Sequence, residues 1–134
     1  MDRDFVTRLF AMSLDQARTL AEPIACEECA QMAGGKNAAW LLGHLIVGAD
    51  FASQLCGSPR GDGAMDERFT PGSTPVGERS SYPTKSELMR DLVEAHAHAS
   101  KAFQNVSDDV LNQPFPMEDY RSFFPRVGDG VVYL

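Results

Sequence analysis

At 134 residues and 43% hydrophobic composition, the chain suits one domain with a real core and is too short for two. Its 12 basic against 19 acidic residues give a formal charge of -7 with no local basic patch, which disfavours phosphate backbones and anionic headgroups, so neither nucleic acid nor a membrane is an expected partner. Acids at Asp2 and Asp4 occupy the place of a signal peptide's basic region, and no apolar run approaches the ~20 residues of a membrane span, so a cytoplasmic protein is expected.

From Asp4 to about Leu20, Val6, Leu9, Phe10, Ala17 and Leu20 recur at three- and four-residue steps, which predicts a first amphipathic helix. Between Ala21 and Lys36 the pattern weakens, and Pro23 and Gly34-Gly35 interrupt it. This stretch reads as a connection with room for a helical turn from Glu27 to Met32. Cys26 and Cys29 form a CxxC there, but there is no second pair for a zinc cage and no preceding strand for a redox motif. The flanking acids Glu27 and Glu28 are expected to raise the thiol pKa values, so the cysteines read as structural or incidental.

Asn37 is a good N-cap, and from Ala38 to Leu55 the only strongly polar side chains are His44, Asp50, Ser53 and Gln54. This predicts a second helix that is central and covered on most sides, with Gly57 as its stop signal. On the helical wheel His44 shares a face with Trp40, Leu41, Val47, Gly48, Phe51 and Leu55, so the imidazole is expected to point inward. A histidine in that position is either hydrogen-bonded to a neighbouring carbonyl or carboxylate or bound to a metal. Trp40, one turn earlier, is a candidate pocket wall or a plain core aromatic. Cys56 cannot share a site with His44 on one helix, because twelve residues at ~1.5 Å rise separate them by roughly 18 Å.

Residues 57 to 83 carry five glycines and four prolines without helical or strand periodicity. So long a connection within a compact domain is usually a lid or a crossover. It contains Arg60-Gly61-Asp62, which reads as chance rather than as an adhesion signal. Thr84 and Glu87 match a capping box, and Leu88, Leu92, Ala95, Ala99, Ala102, Phe103 and Val106 mark the buried stripe of a third helix to about Asn105. His96 borders that stripe and is the one other imidazole that could line a pocket with His44, whereas His98 falls on the polar side. Ser107 to Leu111 predicts a short capped turn. Pro114, Pro116 and Pro125 then hold an extended segment whose aromatics, Phe115, Tyr120, Phe123 and Phe124, are suited to plugging the end of a core. Asp129 looks like the N-cap of a further apolar helix, of which only the first turn precedes Leu134, and the expectation is of a bundle truncated there.

The segments Asn37-Ala38-Ala39-Trp40-Leu41-Leu42-Gly43-His44-Leu45, Tyr82-Pro83-Thr84-Lys85-Ser86-Glu87-Leu88 and Val127-Gly128-Asp129-Gly130 resemble, in order and spacing, the DinB-like superfamily of metal-dependent four-helix bundles, which includes bacterial thiol-dependent transferases. The resemblance spans nearly the whole chain and implies one all-α domain over residues 1–134 with a crossover between the second and third helices. It also implies a divalent metal (Zn, Ni or Fe) held by one histidine on the second helix and two ligands one turn apart on the fourth, activating a thiol or a water for transfer or hydrolysis. The first ligand corresponds to His44. The other two fall outside these 134 residues, so the implied site is incomplete. A helical interaction module without catalysis is therefore the competing expectation, and an apolar groove beside the second helix is expected to support a homodimer.

Overall fold

A computed structural model describes all of residues 1–134. The chain is all-α, with α1 at Arg3–Ala21, α2 at Ala38–Leu55, α3 at Lys85–Asn105, a single turn α4 at Asp108–Leu111, and α5 at Val127–Tyr133. There are no strands, only isolated bridges such as Pro114 to Arg126.

The helices begin where local hydrogen bonds dictate. Asn37 accepts the Trp40 amide at 2.8 Å to open α2, and Ser107 accepts the Val110 amide at 3.2 Å to open α4. Thr84 accepts the Glu87 amide at 3.2 Å while Glu87 accepts the Thr84 amide at 2.9 Å, completing the capping box of α3. Gly57 ends α2 with a φ of +75°, a conformation that glycine adopts without strain. The fourth long element starts earlier than the sequence suggests. Asp129 is not the N-cap of α5 but its third residue, and its carboxylate reaches back to accept the Arg126 amide at 3.0 Å. A carboxylate one turn inside a helix satisfies the entry amide from the other side, so the pattern misplaces the boundary.

The core is built by α3, which packs against both α1 and α2 and buries Leu88, Leu92, Ala95, Ala99, Ala102 and Phe103. Phe10 of α1 meets Phe103 edge-on at 5.8 Å. Helix α2 is less enclosed than its composition suggests. It buries Trp40, Leu42, Ile46 and Val47, but Leu41 and Leu45 stay exposed, as does Leu20 of α1. These three leucines flank a groove between α1 and α2, two helices that both lean on α3 rather than on each other.

The connection from Gly57 to Pro83 is a strap laid across α2. Arg60 clamps the Asp50 carboxylate with two bonds of 2.7 and 2.9 Å and also binds Asp91 of α3, so the arginine of the Arg-Gly-Asp triplet is turned inward. Further along, Ser73 accepts the Trp40 indole N–H at 2.9 Å, and the Val76 carbonyl accepts the Asn37 side-chain amide at 2.9 Å. Phe69 is buried and stacks on Tyr82 at 5.7 Å. In the later segment Phe115 is buried beside Phe51 and Phe124 but stands apart from the main core, whereas Phe123 and Tyr120 remain exposed.

Candidate metal centre around His44

His44 lies at the middle of α2, half-buried. One ring face stacks on Trp40, with centroids 4.7 Å apart and planes 11° from parallel. The Lys36 ammonium lies over the indole, 5.0 Å from its centroid. His44 Nδ1 lies 2.8 Å from the Phe69 carbonyl oxygen. A carbonyl only accepts, so Nδ1 carries the hydrogen, and in the neutral ring Nε2 keeps its lone pair.

Phe69 can reach His44 because the preceding residue has no side chain. A Cβ built on Gly43 would fall inside the Phe69 ring, so the ring lies directly against the backbone of α2. Gly43 thus positions the carbonyl that orients its neighbour.

The imidazole borders two apolar cavities. One, of about 250 Å³, is the groove between α1 and α2, lined by Ala17, Leu20, Ile24, Leu41 and Leu45 among others. The other, of about 240 Å³, is framed by Phe51, Met65, Pro71, Met117 and Leu134. Helix α5 approaches α2 here, with the Leu134 carbonyl oxygen beside Gly48, one turn along from His44.

Neither cavity is lined by Trp40 or His96. Trp40 backs the imidazole from beneath, with its own N–H spent on Ser73. His96 is half-buried on α3, where burial pulls its pKa below the ordinary histidine value. His98 is tied to the Ser58 carbonyl at 2.8 Å. Nowhere does the fold gather three or more His, Cys, Asp or Glu side chains in an arrangement that could hold a metal ion. A single imidazole does not make a metal cage, so the residues present fit one ligand of such a site and not the whole.

The sequence carried no signal for the Phe69 carbonyl, a backbone group, although Gly43 within an apolar helix hints at a close approach. The expected rise in the thiol pKa values holds for Cys29 and fails for Cys26. Cys26 has a lowered pKa, because the Lys85 amide and the Arg79 guanidinium outweigh burial and Glu27. Cys29 is raised, chiefly by burial.

An all-helical bundle with a strap between its second and third long helices and an oriented histidine at the centre of the second defines a class of helical-bundle domain. The family model of the DinB superfamily matches residues 9–133, and the chain belongs to that superfamily. No curated protein and no solved structure gives a significant match. No helix is long and apolar enough to cross a membrane.

Proposed function

We propose that the protein is a divalent-metal-binding member of the DinB superfamily in which His44 supplies one ligand through Nε2, the remaining ligands being supplied from outside residues 1–134 or by another chain. The 2.8 Å bond from His44 Nδ1 to the Phe69 carbonyl by itself also suits a plain core histidine, and the observation that supports a ligand role is that this bond leaves Nε2 with its lone pair on a ring bordering two cavities. Metal-binding histidines are commonly oriented by such a bond, which fixes the tautomer and aims the second nitrogen at the ion. Stacking on Trp40 adds to this by restraining ring rotation.

A neutral imidazole suits Zn²⁺, Ni²⁺ or Fe²⁺. An ion with open positions would lower the pKa of a bound water or thiol. No catalytic step is assigned to this chain's residues, since one ligand alone holds an ion weakly. The apolar groove between α1 and α2, with exposed Leu20, Leu41 and Leu45 and with His44 on its wall, supports packing of a second copy there.

The test is metal analysis of protein equilibrated with Zn²⁺, Ni²⁺ or Fe²⁺ and then desalted, with molar mass measured by light scattering on the same sample. Wild type should run as a dimer and bind the ion measurably in equilibrium titration before desalting, and His44→Ala should bind at least about tenfold more weakly. Equal retention by His44→Ala would remove His44 as a ligand. The second reading, a helical interaction module without metal, rests on the same exposed leucines. It is favoured if the dimer forms and wild type binds the ion no better than His44→Ala does.

A further inference from the structure

Cys26 and Cys29 are the two ends of one 3₁₀ turn, closed by a bond of 3.2 Å from the Cys29 amide to the Cys26 carbonyl. A turn closed in this way holds its end Cα atoms within about 7 Å, and disulfides span about 4.4–6.8 Å between Cα atoms. The two thiols have opposite surroundings. Cys26 is partly exposed, and its Sγ accepts hydrogen bonds from Arg79 Nη2 at 3.1 Å and from the Lys85 amide at 3.5 Å.

That amide is the first of the 21-residue helix α3, so the thiol sits at the positive end of the helix dipole as well as against a guanidinium. The arrangement is held from both sides. Lys85 Nζ binds the Glu22 and Ile24 carbonyls at 3.0 and 2.6 Å, fixing the incoming chain. Arg79 binds the Tyr82 and Pro83 carbonyls at 3.2 and 2.7 Å, and its Nε is buried without a partner. The charged group facing Cys26 is therefore Arg79, opposed by Glu27, while Lys85 contributes its amide there and its ammonium acts on Cys29. Cys29 is buried, with its thiol directed to the Ala25 carbonyl at 3.5 Å. Cys56, on the far side of the core, has its pKa pushed up to about 11 by burial.

We propose that Cys26 and Cys29 are a thiol–disulfide pair, with Cys26 the attacking thiolate and Cys29 the resolving thiol, and with a low-molecular-weight disulfide as oxidant. The Cys26 thiolate attacks one sulfur of the disulfide, forming a mixed disulfide and expelling a thiolate, which takes up the proton that Cys26 had released to solvent. The Cys29 sulfur then displaces the second small thiolate from Cys26 Sγ, and the Cys29 proton passes to that leaving group. Two protein thiols are oxidised to one disulfide, and the external disulfide is reduced to two thiols. The lower-pKa, exposed sulfur is the one an oxidant meets first, and its neighbour three residues away reaches the intermediate before a second external thiol does. Closure removes the acceptor from Arg79 and from the Lys85 amide, so the oxidised and reduced forms differ where the strap joins α3. The inference does not depend on metal binding at His44.

The experiment treats the reduced full-length chain with glutathione disulfide, quenches it in acid, and maps peptides by mass. Wild type should lose the mass of two hydrogens with Cys26 linked to Cys29, Cys29→Ser should stop with glutathione on Cys26, and Cys26→Ser should form neither species. A wild-type protein that retains glutathione on Cys26 as fully as Cys29→Ser does would overturn the proposal. A second measurement on the unmutated protein is pulse alkylation across pH. At neutral pH Cys26 should react at least about tenfold faster than Cys29 and Cys56, with a midpoint lower than theirs, and Arg79→Ala should move that midpoint upward. Alkylation of Cys29 or Cys56 as fast as Cys26 would refute the assignment of the attacking thiol.

Discussion

Replacing Gly43 by alanine adds one methyl group to α2 at the point where the buried Phe69 ring rests on the helix backbone. In an unobstructed helix the change would stabilise by about 0.5–1 kcal/mol, because alanine loses less backbone entropy than glycine. Here the new Cβ overlaps three atoms of the ring, so the strap must move. Displacing Phe69 forfeits about 1.5–3 kcal/mol of side-chain burial and the hydrogen bond to His44, about 0.5–1.5 kcal/mol. The net expectation is a destabilisation of about 1–4 kcal/mol, overlapping the range measured for overpacked cores. For a chain of this length the melting entropy converts 1 kcal/mol to about 3.5 °C, so Tm should fall by roughly 4–14 °C. Thermal melts followed by circular dichroism, with urea titration alongside, read this directly. In a Phe69→Ala background the same Gly43→Ala change should be neutral or stabilising, since the obstructing ring is gone. A single variant Gly43→Ala as stable as wild type would refute the close packing of the strap on α2, and with it the reason His44 finds its carbonyl.

Other outcomes follow from the same contacts. Arg60→Met should destabilise by about 1–2 kcal/mol, less than the loss of a fully buried pair because Asp91 is substantially exposed, and Asp50→Asn should recover part of the loss. Urea titration of the three variants measures it, and an unchanged midpoint for Arg60→Met would count against the clamp. Burial depresses the folded-state pKa of His96 below its unfolded value, so the unfolded chain binds the proton more readily. The stability contributed by neutral His96 is present above the ordinary histidine pKa and is lost as pH falls through the depressed folded value. His96→Leu should flatten the decline in stability on the acid side of pH 6.5, and identical pH profiles for the two proteins would contradict it. His44→Ala should bind divalent metal more weakly with only a small fall in Tm, since the ring is half-buried and the bond it gives up is part-buried.

Much of this architecture could be read from the chain because helix ends are decided within four residues. The Asn37 cap, the Thr84–Glu87 box and Gly57 are local devices, and the bounds of α2 and α3 fall where they dictate. Asp129 misleads for the same local reason, since a carboxylate serves equally at the cap or one turn inside it. The position of His44 midway along α2 was also legible, and the superfamily from the order of its motifs, but the ring is not turned fully inward as expected, since it lies half-buried between exposed Leu41 and Leu45. What tertiary structure alone decided is which distant group meets each side chain. The partner of His44 lies 25 residues away, Arg60 reaches Asp91 across 31, and Arg79 reaches Cys26 across 53. The exposed leucines of α1 and α2 look like core in a periodic pattern, and they stay open because both helices lean on α3. Periodicity specifies which face of a helix is apolar, whereas what covers that face depends on how the helices are arranged in space.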